Sequence, residues 1–287
     1  MISAAPGRPK QGMAPLGGSA AHAVASVGAP IQWPVEAIWE AVVPLLDGFK
    51  VEVLPQVDST NTELMRRVKA GQLEPILLLA EHQTAGRGRL GRQWHSEATS
   101  VKGALTFSLG LPLSPVSWSG LSLAVGVSIA HSLHPDLRLK WPNDIWLPDR
   151  KMGGILIETA SLGDIRYVVV GVGLNIAPRD DIGLSTPPAW LQEVQSGMDA
   201  AMALQRLVAP LVGDIQRFEA HGFAPFQARF NALDALAGRA VNLSDGVQGV
   251  AHGVDETGAL MLHTAHGLKK ITSSEVSVRP APSVKPA

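Results

Sequence analysis

Apolar positions first recur at helical spacing at Val35, Ile38 and Val42, behind Trp33 and Pro34, and predict a helix with proline at a start position. Val51–Leu54 reads as a short strand. Thr60-Asn61-Thr62-Glu63 has capping-box spacing with Thr60 as the cap, and Leu64 and Val68 supply the apolar face of the helix that follows. Pro75–Glu81 is continuous and apolar from Ile76 to Leu79 and predicts a buried strand. Ala104–Leu111 predicts another strand. Trp118–Leu133, rich in small and apolar residues, predicts a buried helix. Leu137–Leu147 reads as a strand interrupted by Pro142, and Ile155–Thr159 with Arg166–Leu174 as a hairpin of buried strands. Met198–Ala220 and Phe223–Leu236 carry amphipathic helical patterns.

After Gly238 the texture changes. Short apolar runs alternate with turns at Gly246, Gly253, Gly258 and Gly267, which predicts a small all-β module of four or five strands. The expected class is therefore α+β: a mixed sheet with flanking helices, followed by a small β barrel. The divisions expected are a disordered leader, 1–32, a main domain, 33–236, the β module, 237–280, and a tail, 281–287. Ala, Gly, Ser and Pro dominate the leader, and Met13 offers an alternative start within it.

Composition narrows the function. The chain has 287 residues, 46% hydrophobic and 17% charged, enough for a substantial core. Its 24 basic residues balance 25 acidic ones, so bulk attraction to nucleic acid or membrane is not expected and any electrostatic function must be local. Cysteine is absent, which removes disulfides, thiolate nucleophiles and Cys-ligated metals and fits a reducing cytoplasm. No apolar run approaches the length of a membrane helix. His131 and His134 sit three apart on a predicted helix without a nearby third ligand, so no metal site is assigned.

The local cluster is Gly86–Arg92, which reads Gly-Arg-Gly-Arg-Leu-Gly-Arg. Its glycines permit a tight turn and close backbone approach to a ligand. Arg87, Arg89 and Arg92 repel one another unless solvated or met by an anion, and guanidinium groups suit carboxylate and phosphate. A solvated loop or a nucleic-acid contact carries the same composition. The context is neither a dinucleotide fingerprint, since Trp94 and His95 follow and no helix opens, nor a P-loop, since Gly-Lys-Ser/Thr is absent. Trp94 suits stacking on a nucleobase or packing in the core.

Four more segments carry more polarity or glycine than a scaffold needs. They are Asp58-Ser59-Thr60-Asn61, Lys140-Trp141-Pro142-Asn143-Asp144, Lys151 to Glu158 (KMGGILIE) and Gly171-Val172-Gly173-Leu174-Asn175. Taken in order with EHQTAGRGRLGRQW, these five motifs resemble biotin–protein ligases over about Val53–Ala177, and more weakly through the β module. The resemblance implies a class II synthetase-like catalytic domain followed by an SH3-like barrel. It implies an enzyme that forms biotinyl-5′-AMP from biotin and ATP with Mg2+, then transfers biotin to a lysine of a biotin carboxyl carrier protein.

Carried over by position, the resemblance gives biotin to Ser59, Thr60, Asn61 and Gln83, to the loop residues Gly86, Arg87, Gly88 and Arg89, and to Lys151 and Gly154. It gives the nucleotide to Arg92, Trp94, Asn143 and Asn175. Arg89 and Lys151 are the implied catalytic cations, offsetting the repulsion between the biotin carboxylate and the α-phosphate. Magnesium would bridge the departing pyrophosphate. The anhydride is hydrolysable, so the loop is expected to close over it. Thr60 could also serve as a helix cap.

The short span from Trp33 to Val53 predicts a ligase without the DNA-binding domain of some bacterial relatives. Lys102-Gly103-Ala104, and Ser274 before Glu275, depart from the family's pattern. The oligomeric state, monomer or homodimer, stays open. Two other readings compete: a lipoate-type ligase of the same fold, and a nucleic-acid-binding module, which the balanced charge disfavours. Absent cysteine argues against octanoyl-transferring relatives.

Overall fold

The computed structural model describes residues 1, 31–94, 103–179, 186–272 and 278–281. The expected leader and tail fall almost entirely outside these residues, as do Lys102, Ser274 and Glu275.

Seven strands form one mixed sheet: β1 (Lys50–Val57), β2 (Ile76–Gln83), β3 (Ala104–Pro112), β4 (Arg138–Lys140), β5 (Asp144–Leu147), β6 (Arg150–Leu162) and β7 (Ile165–Asn175). The spatial order is β1-β2-β3-β7-β6-β5-β4. Only β1 and β2 run parallel, joined through helix α2 (Thr60–Lys69); the other neighbours are antiparallel. Helices α1 (Val35–Val42), α3 (Leu121–Leu133), α4 (Ala200–His221) and α5 (Gln227–Leu233) complete the main body.

Strand periodicity explains the two faces. Leu77, Leu79, Val168 and Val170 point into the large core shared with α1, α3 and α4. Leu78 and Val169, one residue out of phase, meet Leu64 and Val68 of α2 in a smaller cluster. On that second face β7 continues past Val169 with Gly171 and Gly173, so the sheet loses its side chains there and leaves a hollow.

The second sheet is five-stranded and antiparallel, in the order β11-β10-β9-β8-β12, from β8 (Ala240–Leu243), β9 (Gln248–Val254), β10 (Leu260–Thr264), β11 (Gly267–Ile271) and β12 (Val278–Pro280). It is locked to the first body by polar contacts. Trp141 Nε1 donates to Gly258 O at 3.1 Å, Ser119 Oγ to Thr257 O at 2.7 Å, and Asn231 Oδ1 accepts from Val254 N at 2.8 Å.

Three expectations need correction. Leu137–Leu147 is two antiparallel strands, β4 and β5, turning at Trp141–Pro142, a cis peptide. Pro142 has no N–H for a ladder, so the chain turns where a single strand was expected. The cap of α2 is Ser59, whose side chain accepts from Thr62 N, one residue before the expected Thr60. Phe223–Leu236 also resolves into a short 3-10 turn, Ala224–Phe226, followed by α5.

Candidate active site

The hollow over β7 is a cavity of about 510 Å³. Its floor is the glycine-bearing stretch of β6 and β7, one wall is the start of α2 with the end of β2, and the glycine–arginine loop lies across it.

At one end, β2 and α2 supply neutral polar groups. Gln83 Oε1 accepts from Thr60 N at 2.8 Å and stands 3.1 Å from Thr60 Oγ1. Ser108 Oγ, on β3, lies 2.7 Å from Thr60 Oγ1 and 2.6 Å from Asn61 Oδ1. Asn61 Nδ2 reaches Leu156 O at 3.3 Å and Glu158 Oε2 at 3.0 Å. All four polar residues, Thr60, Asn61, Gln83 and Ser108, are buried. The cap at Ser59 frees Thr60, so its hydroxyl turns toward Gln83 and away from the helix end. Two hydroxyl protons, of Thr60 and Ser108, face three close oxygen contacts, so this end can accept a ligand N–H.

The glycines make this possible. A Cβ on Gly171 would stand 2.8 Å from Asn61 Cγ and closer still to its Oδ1. A Cβ on Gly173 would stand 2.6 Å from Cζ2 of Trp94, whose indole lies against the strand. The pair predicted only to end a strand therefore seats two side chains over the sheet.

The loop is a narrow hairpin. Trp94 N donates to Gly86 O at 2.9 Å and Gly88 N to Arg92 O at 2.8 Å, with Arg87 bridged to Gln93. Arg89–Gly91 is a single 3-10 turn with Leu90 and Gly91 at positive φ. The hairpin separates the three arginines. Arg87 pairs with Glu158 at 2.9 Å, outward. Arg89 points inward and Nη1 donates to Asn143 Oδ1 at 3.3 Å; burial lowers its pKa against the attraction of Asp144. Arg92 is exposed and stays on the rim.

The other end of the cavity is cationic. Asp144, which opens β5, holds Lys151 Nζ at 2.6 Å and Lys140 Nζ at 3.3 Å. Burial alone would push its carboxyl up, but Lys151 and Lys140 together hold it below the ordinary carboxylate range. Lys140, also over the Trp146 ring at 5.3 Å, is held below the usual ammonium value by burial despite Asp144. The trio carries a net positive charge, suited to an anion. Gly154 keeps the space beside Lys151 open: a Cβ there would stand 3.3 Å from Nζ.

Asn143 and Asn175 border the cavity, but much of their capacity is spent within the fold. Asn143 Nδ2 donates to Ile155 O at 2.8 Å. Asn175 Nδ2 donates to Ala189 O at 2.9 Å and its Oδ1 accepts from Arg179 at 3.1 Å. Arg239, just ahead of β8, and Arg279 of β12 also reach the cavity, and Arg239 pairs with Asp149.

All the candidate residues named from sequence thus gather around one cavity, with Gly86 supporting its loop: a Cβ there would meet the Trp94 carbonyl and Gln83 Nε2. Sequence reasoning missed Ser108 and Glu158, and gave no role to Asp144 or Lys140 although it noted that their segment carries more polarity than a scaffold needs. His131, considered for metal, instead meets Arg229, whose Nη2 lies 2.8 Å from its Nδ1.

Residues 53–175 match the Biotin/lipoate A/B protein ligase family, and residues 237–279 the Biotin protein ligase C terminal domain. The chain is similar to the Bifunctional ligase/repressor BirA of Escherichia coli (strain K12), 37% identical over 247 residues that span 82% of this chain and 76% of that protein. It is similar to the Biotin--[acetyl-CoA-carboxylase] ligase of Paracoccus denitrificans, 32% identical over 238 residues, 78% of this chain and 98% of that protein. Among solved structures, the biotin protein ligase from Aquifex aeolicus in complex with biotin and ATP aligns with a TM-score of 0.68 at 28% identity, covering 80% of this chain and 99% of that one. A cavity neutral at one end and cationic at the other, with the glycine–arginine loop lying across it, is thus carried on a chain that belongs to the biotin protein ligase family.

Proposed function

We propose that this chain joins biotin to ATP as biotinyl-5′-AMP and then passes the biotinyl group to a lysine amine of a biotin carboxyl carrier protein. The observation that carries this reading is the polarity of this cavity from one end to the other. Thr60, Asn61 and Gln83 offer uncharged hydrogen-bonding groups to a ureido ring at one end. Arg89 and the Lys140–Asp144–Lys151 trio offer cations at the other.

In the first step a biotin carboxylate oxygen attacks the α-phosphorus, a C–O–P bond forms, the Pα–O bond to the β-phosphate breaks and pyrophosphate leaves. Lys151 and Arg89 lower the barrier by offsetting the repulsion between the two anions and the charge that builds on phosphorus. Their positions are fixed beforehand by Asp144 and Asn143, so little reorganisation is needed as charge develops. Trp94, whose indole lies over Gly173 at the cavity's edge, offers the adenylate a flat apolar face. In the second step the carrier's neutral lysine amine attacks the acyl carbon, AMP leaves and the amine sheds a proton. No nucleophile of this chain is required.

Magnesium is read as part of the substrate, Mg·ATP. The carboxylates that line the cavity are engaged: Asp144 by two lysines and Asp149 by Arg239. No helix among the described residues is long and apolar enough to cross a membrane, and a reaction on ATP and a carrier protein is assigned to the cytoplasm.

The test is incubation with Mg·ATP and either biotin or lipoate, followed by separation of acyl-adenylates. Biotinyl-adenylate formed in clear excess over the lipoyl compound is the expected result. Lipoyl-adenylate alone would move the chain to the lipoate-type reading.

A further inference from the structure

We infer that Glu158 is a positioning residue that latches the glycine–arginine loop to the ring-binding end of the cavity; this rests on the function proposed above. No role for Glu158 follows from the motif that contains it. Its place on β6 is specific. It lies on the same face as Leu156 and Gly154, at the far side of Asn61 from the cavity. One carboxylate oxygen, Oε1, meets Arg87 Nη1 at 2.9 Å. The other, Oε2, accepts from Asn61 Nδ2 at 3.0 Å and lies 3.2 Å from the same Arg87 nitrogen. Arg87 Nη1 also stands 3.5 Å from Thr62 Oγ1, in the first turn of α2.

Glu158 therefore grips two things at once. It fixes the amide of Asn61 so that its oxygen faces Ser108 and the cavity, and it holds the loop by the arginine at the loop's beginning. The hairpin bonds from Gly86 to Trp94 and from Gly88 to Arg92 make the loop a single piece. Pinning Arg87 thus also restrains Arg89, which faces the reacting end. The division of labour among the arginines follows: Arg87 is neutralised by Glu158 and serves as the hinge-side anchor, which leaves Arg89 as the loop's cation toward substrate. The pair is half exposed, 48% for Arg87 and 21% for Glu158. An ion pair so placed is weak enough to open for entry and exit, and changes the open fraction of the loop by about two- to fivefold.

Glu158→Gln keeps an oxygen for Asn61 but removes the charge that holds Arg87. The first readout needs no ligand: the rate of trypsin cleavage after Arg89 in the free protein. Cleavage two- to fivefold faster in Glu158→Gln is expected, with the same increase in Arg87→Gln and no further increase in the double variant. Cleavage at the wild-type rate, or increases that multiply in the double variant, overturns the latch. The second readout is release of biotinyl-adenylate from protein charged with biotin and Mg·ATP. Release should rise two- to fivefold in Glu158→Gln while the biotin Kd changes less than twofold. An increase in Kd with unchanged release would make Glu158 a mere support for Asn61 and overturn the latch. If the wild type forms no biotinyl-adenylate, the proposed function falls, and the trypsin comparison still decides the latch.

Discussion

Gly171→Ala adds one methyl group at the floor of the cavity. The new Cβ would lie 2.8 Å from Asn61 Cγ and nearer to Oδ1, well inside contact distance. The backbone cannot retreat, because Gly171 pairs with Ser108 on β3 and Leu156 on β6. Asn61 must swing away instead, giving up its contacts of 2.6 Å to Ser108 and 3.0 Å to Glu158. Overpacking of this kind costs about 1–3 kcal/mol. A buried polar group left unsatisfied costs about 1–3 kcal/mol more. Part of this falls on stability. The part that falls on the ring-binding site is about 1.5–3 kcal/mol, the worth of a misplaced amide, so biotin should bind about 10- to 100-fold more weakly. Titration calorimetry of biotin without ATP isolates that term, and urea unfolding reports the other. Gly213→Ala is the control: nothing stands within 4 Å of its added methyl and it lies in the interior of α4. It should stabilise the fold by about 0.5–1 kcal/mol and leave biotin affinity unchanged. Biotin binding within threefold of wild type in Gly171→Ala would refute the seating of Asn61 over the sheet.

Lys151→Ala should lower the rate of biotinyl-adenylate formation about 100- to 1000-fold, while transfer from preformed adenylate falls far less; single-turnover kinetics separates the two steps. Arg89→Ala should raise release of biotinyl-adenylate about tenfold or more, read as non-selective labelling of bystander lysines. Asp144 is held below its ordinary value, so its contribution to stability is present above pH of about 4 and is lost as pH falls through the lower folded value. Asp144→Asn should remove that acid-side step from a urea-unfolding series, and should also leave Lys140 and Lys151 without their common counter-charge and slow adenylation. Asp234 is the opposite case: burial raises its carboxyl to about 6, and Oδ2 has no partner among the described residues. Its folded value exceeds its unfolded one, so stability is lost as pH rises from about 4 through about 6, by at most about 3 kcal/mol. Asp234→Asn should recover much of this at pH 8, measured by the same unfolding series, since the side-chain oxygen can still accept from Leu236 N at 2.8 Å.

The strands were legible as continuous apolar runs such as Ile76–Leu79, because both faces of the sheet are covered there: Leu77 and Leu79 enter the large core and Leu78 meets α2. The loop stood out as a candidate anion site because three arginines without an acid among them need either solvent or an anion. Which of those arginines turns into the cavity was not legible along the chain. Only the hairpin geometry sends Arg87 to Glu158, 71 positions away, and Arg89 to Asn143, 54 away. Ser108 was invisible for the same reason: a serine in an apolar strand carries no signal until Thr60 and Asn61, 48 and 47 positions earlier, are placed beside it. The cap was misplaced by one residue because Ser59 and Thr60 are both good caps, and local pattern cannot see that Gln83 claims the threonine. The segment Lys140–Asp144 stood out as more polar than a scaffold needs, and the structure supplies the reason: Asp144 is the shared counter-ion for two lysines, one of them from the next strand.

The most direct measurement of the central claim is a crystal structure of the protein incubated with biotin and Mg·ATP. The account places the ring system within hydrogen-bond distance of Thr60, Asn61 and Gln83, and the acyl phosphate within reach of Arg89 and Lys151, beneath the closed loop. A ring found instead at the end lined by Trp146, Arg239 and Arg279, with the phosphate away from Lys151, would contradict it.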